Sequence, residues 1–172
     1  MSDLIREISI HSGIDLQCKD ESFNLTSTQP IRLRAQSEEA DYFLKIGSNN
    51  DFYRFAAEAR GLELISLTNT VQTPQVFSFG NIGDNAYILM EFLDMRTQTN
   101  HSALELGKQL AKMHKSTADS FGLEEPNWIG LTKQLNKQET DWVVFYKDQR
   151  LLPQLELAYS KGYTATLEDK AT

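Results

Sequence analysis

The chain has 172 residues, 40% of them hydrophobic, and its nine Phe, six Tyr and two Trp exclude a disordered polyelectrolyte. Its 17 Lys and Arg against 24 Asp and Glu leave a net charge of −7. That sign argues against a nucleic-acid or anionic-membrane partner, although a small phosphorylated ligand needs only a local positive site.

In chain order, residues 2–11 put Leu4, Ile5 and Ile8, with His11 at the end, on one stripe of a short amphipathic helix. Between residues 14 and 46 the helical period is lost. Ile14, Leu16 and Cys18 alternate, as do Ile31 and Leu33 after Pro30, and Tyr42-Phe43-Leu44-Lys45-Ile46 suits a third strand before Gly47. Over 51–67 the period changes again, because Phe52, Phe55, Ala56, Ala59 and Leu62 form a helical stripe that Asn50 or Asp51 is placed to cap. Pro74 ends the following stretch. Gln75–Phe79 and Ala86–Phe92 then read as a hairpin around the turn cluster 80–85.

From residue 102 the chain becomes mainly helical. Ser102 and Glu105 have capping-box spacing, and Ala103, Leu106, Leu110, Met113 and His114 give an apolar face. Residues 119–140 read as a connecting loop. A last helix carries Trp142, Phe145, Tyr146, Leu152, Leu155 and Tyr159, with Pro153 expected to kink or restart it, and the pattern fades after Gly162.

The single cysteine, Cys18, has no partner for an intramolecular disulfide, which fits a reducing compartment. The first seven residues are too charged for a signal-peptide core, and no apolar run approaches the roughly 20 residues of a membrane span. A cytoplasmic protein is the expectation.

Lys45 interrupts an apolar strand, and by itself it is better explained by snorkelling to solvent than by a place in a cleft. Glu58 lies on the next helix beside the apolar stripe, so a helix packed back on its sheet brings the two charges together. A lysine held by a helical glutamate is how kinase-type folds aim an ammonium at nucleotide phosphates. Met90, Glu91 and Phe92 stand where strand gives way to helices, the place of the adenine-binding hinge in such folds. No Ser-His-Asp arrangement and no metal-ligating cluster is legible, so no catalytic residue and no metal ligand is assigned.

Several longer stretches agree with that order. They are Tyr42–Lys45, Phe55-Ala56-Ala57-Glu58-Ala59-Arg60-Gly61-Leu62, Thr73-Pro74-Gln75-Val76, Ile88–Leu93, Leu106–His114 and Phe121-Gly122-Leu123. The most diagnostic is Trp142–Leu155, a W-x-x-F…RL-x-x-QL helix. On these residues the chain resembles the fructosamine (ketosamine) kinase family, relatives of aminoglycoside and choline kinases, from about residue 40 to Gly162.

The resemblance implies an α+β fold. A kinase-like N-lobe, an antiparallel sheet with one packed helix, would fill residues 1–93. The first helices of an incomplete helical C-lobe would fill 94–162, before a polar tail at 163–172. It implies ATP with Mg²⁺ as cofactor and phosphoryl transfer to the third-carbon hydroxyl of a glycated amine. Lys45 would meet the phosphates, Glu58 would orient it, and Met90, Glu91 and Phe92 would form the hinge. His114, Trp142 and Arg150 would be structural.

Two departures qualify this. The family's glycine-bearing phosphate loop falls on Phe23–Arg32, which holds no glycine, though Thr26, Ser27 and Thr28 offer hydroxyls. No His-Gly-Asp occurs, so the carboxylate that orients the acceptor and the magnesium ligands are missing from these residues. The expectation is an N-terminal portion of a kinase, inactive alone; a non-catalytic kinase-like interaction protein is the alternative. Helical faces at 103–114 and 142–159 left uncovered would favour homo-oligomers.

Overall fold

The computed structural model describes residues 2–18, 31–36 and 40–163. The chain divides into two compact units, Met1–Ser116 and Thr117–Thr172, so the boundary read at 93/94 falls inside the first unit. The loop read at 23–32 lies, up to residue 30, outside the described residues, as does the tail beyond Tyr163.

In the first unit helix α1 (Ser2–Ser12) precedes strands β1 (Gln17–Cys18), β2 (Ile31–Gln36) and β3 (Asp41–Ser48). A 3₁₀ turn at 49–51 leads into α2 (Phe52–Leu67), and β4 (Val76–Ile82) and β5 (Asn85–Glu91) follow. The five strands form one antiparallel sheet in the order β1-β2-β3-β5-β4. Strand alternation gives it two apolar faces. Tyr42, Leu44, Ile46, Tyr87 and Leu89 meet Leu4, Ile5 and Ile8 of α1 on one side. Ala86, Ile88 and Met90 meet Phe55 and Ala59 of α2 on the other, flanked by Phe43 and Val76. The expectation of one packed helix is therefore corrected to two, because the stripe of α1 is long enough to cover a face of its own. Strand β5 is buried on both sides from Ala86 to Met90.

The β4–β5 turn is tighter than the expected cluster 80–85, since only Gly83 and Asp84 separate the strands. Gly83 has φ of +55° at the first turn position, the handedness that matches the twist of paired strands. Asn49 ties this turn to the end of β3: its backbone N–H donates to Asp84 O at 3.0 Å and its side-chain amide to Gly83 O at 3.1 Å.

Two capping assignments change. Asp51 precedes α2, yet its carboxylate accepts from the Ser48 N–H (2.9 Å) and pairs with Arg54 (2.6 Å), holding the strand-to-helix corner. Helix α3 (Asn100–Met113) starts earlier than read, with Thr99 as its cap. Thr99 Oγ1 accepts from the Ser102 N–H (3.1 Å) and Ser102 Oγ accepts from the Thr99 N–H (2.9 Å). Ser102 thus takes the third position of the box, while Glu105 pairs with Lys108 at 2.7 Å. The stripe assigned to α3 is not a buried face, because Leu106, Leu110 and His114 are exposed.

In the second unit the stretch read as a loop contains a hairpin, β6 (Asn127–Ile129) with β7 (Thr132–Gln134). Phe121 and Glu139 exchange backbone hydrogen bonds of 2.8 and 3.1 Å around it. Three-residue strands with Asn, Thr, Lys and Gln among them leave no readable alternation. The last helical stretch is broken as expected: α4 (Trp142–Tyr146), a π turn over 147–151, then α5 (Leu152–Ser160) with Pro153 in its first turn. Among the described residues no helix is long and apolar enough to cross a membrane.

Candidate nucleotide site

Lys45 shares the α2-side face of β3 with Phe43, in register with Ile88 of β5. The corner Ser48–Asp51–Arg54 sets the direction of α2, and Phe55 and Ala59 seat it on Ala86, Ile88 and Met90. Glu58 lies next to Ala59 and therefore at the rim of that contact. Lys45 Nζ donates to Glu58 Oε1 at 2.5 Å. The two side chains are 17% and 34% exposed, so the pair is shielded enough to hold its geometry and open enough to meet a solute. The strand and helix thus bring the two charges together.

Met90, Glu91 and Phe92 lie at the C-terminal end of β5. The Met90 side chain is buried in the α2-side core. Glu91 is clasped to Gln75: its N–H donates to Gln75 O at 2.8 Å and its carboxylate accepts the Gln75 N–H at 3.2 Å. The Glu91 N–H is thus committed to Gln75. Among the described residues no three His, Cys, Asp or Glu side chains gather as a metal cluster. They do not by themselves fit Mg²⁺, whereas a strand ammonium oriented by a carboxylate fits a phosphate.

The opposite face carries a polar chain that the sequence reading missed. The Tyr87 hydroxyl is hydrogen-bonded to His11 Nδ1 (2.5 Å) and to Ser78 Oγ (2.6 Å). His11 and Tyr87 are 76 positions apart, and nothing local in either segment signals the link. Burial pushes the Tyr87 phenol above its ordinary value of 10.0, with the Ser78 bond acting against that rise. The folded state therefore favours the neutral phenol. Its contribution is complete below pH 10 and is lost as pH rises from there through the folded value. Urea midpoints measured between pH 8 and about 11.5 are expected to fall more steeply above pH 10 for the parent chain than for Tyr87→Phe. Parallel curves would remove Tyr87 from the alkaline response.

The fold is α+β, an antiparallel sheet whose third strand lends a lysine to a glutamate of the following helix, a pairing that kinase-type folds use beside nucleotide phosphates. The fructosamine kinase family profile matches residues 11–172, and the chain belongs to that family. "Probable ketoamine kinase" of Klebsiella aerogenes is 41% identical over 123 residues, covering 71% of this chain and 43% of the relative. "Protein-ribulosamine 3-kinase, chloroplastic" of Arabidopsis thaliana is 37% identical over 141 residues, covering 75% and 43%. The solved structure described as a "putative fructosamine-3-kinase" from Thermobifida fusca YX-ER1 superposes with a TM-score of 0.79 at 26% identity, over 96% of this chain and 57% of that one. The chain thus spans a little under half the length of these curated relatives.

Proposed function

We propose that the first unit is the nucleotide-binding part of an ATP-dependent ketosamine kinase, in which Lys45 meets the phosphates and Glu58 holds it there. The observation that carries this reading is the 2.5 Å bond between them on a strand–helix pair. An ammonium has three donors, so bonding to one carboxylate leaves capacity for an anion. Met90, Glu91 and Phe92 serve as the hinge, without the Glu91 N–H, which Gln75 holds. In functional terms residues 1–93 are the nucleotide lobe, 94–162 belong to the helical lobe and 163–172 are a tail, in a cytoplasmic setting.

The 172 residues hold no His-Gly-Asp segment, and we assign them nucleotide binding without turnover on their own. Calorimetric titration with ATP, with and without Mg²⁺, tests the reading. Binding is expected, and Lys45→Met should weaken it about tenfold or more, as loss of a charge-assisted contact does. Equal affinity in Lys45→Met would overturn the assignment of the site. No binding by a folded chain would favour the second reading, a non-catalytic interaction protein, which the glycine-free stretch Phe23–Arg32 supports.

Exposed Leu104 and Leu106 on α3, and Trp142 and Val143 on α4, support self-association of this chain. Light scattering over a hundredfold concentration range is expected to show a mass that rises with concentration. A constant monomer mass would refute it.

A further inference from the structure

We infer that Arg150 is a positioning residue that fixes the segment 121–139 onto the last helices through a fork of hydrogen bonds. Gln149 lies in the π turn over 147–151, and its backbone carbonyl is one of the acceptors. Arg150 Nη1 donates to that carbonyl at 2.8 Å and reaches across to Leu135 O at 2.6 Å. Arg150 Nη2 donates to Asn136 Oδ1 at 2.6 Å, and the guanidinium carbon lies 4.7 Å from the centre of the Phe145 ring.

Asn136 carries the connection onward. It is buried, only 6% exposed. Its Nδ2 donates to Glu125 O (2.8 Å) and to Asn127 Oδ1 (3.0 Å), so one amide joins both ends of the β6–β7 hairpin. The Lys137 N–H adds a longer bond to Gln149 Oε1 at 3.3 Å. A planar fork of donors over an aromatic face serves three acceptors lying in different directions. A lysine, with its compact point charge, cannot. The π turn over 147–151 carries Arg150, so the irregular part of the helix is also where the distant segment is anchored.

Amide hydrogen exchange on the whole chain tests this. Arg150→Met is expected to raise exchange at Phe121, Lys137 and Glu139 by about tenfold or more, with Ile88 and Leu89 of β5 unchanged. Arg150→Lys should raise the same second-unit amides several-fold despite keeping the charge. Pro153→Ala, which leaves the fork in place, should keep these amides within twofold of the parent. Exchange within twofold of the parent in Arg150→Lys would overturn the inference. So would exchange at Phe121 and Glu139 in Pro153→Ala as fast as in Arg150→Met, which would make the helix break, not the clamp, the cause. If Arg150→Met alone unfolds the second unit, Arg150→Lys and Asn136→Ala decide between these outcomes by the same amides.

Discussion

Leu44→Ala should destabilise the first unit by about 2–5 kcal/mol, the usual cost of a leucine truncated in a core that only partly collapses. Leu44 is fully buried within the cluster formed by Ile5, Ile8, Tyr42, Ile46, Tyr87 and Leu89. Strands β2 and β5 pair it on both sides, so neither neighbour is free to move into the space. Its side chain points toward α1, opposite to Lys45, which separates the cost of a cavity from any change at the ion pair. Urea unfolding followed by far-ultraviolet circular dichroism reads the effect. A loss below about 1 kcal/mol would mean that α1 follows the missing methyl groups and closes the void. Phe77→Ala, at a side chain left substantially exposed on the edge strand, should cost clearly less.

Gly122→Ala is expected to cost the second unit about 3 kcal/mol or more. Gly122 has φ of +111°, a backbone conformation that side chains rarely adopt, and an added Cβ would stand 2.8 Å from Asn136 O and 3.2 Å from Lys137 O. Both obstacles are backbone, so neither can swing aside. Asn136 is moreover held by its own amide bonds. Trp128 and Trp142 are the two tryptophans of the chain, and both belong to the second unit. Intrinsic tryptophan fluorescence therefore reads this unit during unfolding without interference from the first. Gly107→Ala, on α3 of the first unit and therefore followed by far-ultraviolet circular dichroism, is the control: nothing lies near its added Cβ. It should be neutral or stabilising by up to about 1 kcal/mol. Equal destabilisation by the two changes would contradict the close approach at Gly122.

Where one face of an element is buried against a neighbour, its pattern was readable. The alternation of Tyr42, Leu44 and Ile46 and the stripe of Phe55 and Ala59 both report packing directly, and they put Lys45 and Glu58 within reach of each other. Structure held by hydrogen bonds between distant segments left no such trace. Thr99 rather than Ser102 caps α3, because any hydroxyl in the right turn serves and the spacing fits more than one register. Asp51 looked like a cap by its chemistry, yet its carboxylate turns back to Ser48 and across to Arg54. The hairpin at 127–134 depends on Asn136 and Arg150 more than on alternation, so residue types that read as a linker form strands. In the candidate site Met90, Glu91 and Phe92, proposed as the hinge, lie where a strand stops. Which of their backbone groups remain for a ligand depends on Gln75, whose pairing with Glu91 no motif records.

The double burial of β5 also has a consequence for how the first unit is made. Strand β3 waits for a partner that follows roughly 40 residues later, whereas β4 and β5 are joined by a two-residue turn and can pair at once. On a ribosome, α1, β3 and α2 emerge with their apolar sides uncovered until residue 91 is clear of the exit tunnel. At about 5–20 residues per second that interval lasts seconds. During it Tyr42, Leu44 and Ile46 present a hydrophobic strand with one unpaired edge. The β4–β5 hairpin adds to that free edge of β3, and Ala86, Ile88 and Met90 supply the surface on which Phe55 and Ala59 seat α2. The meeting of Glu58 with Lys45 therefore depends on a strand made about 40 residues after the lysine.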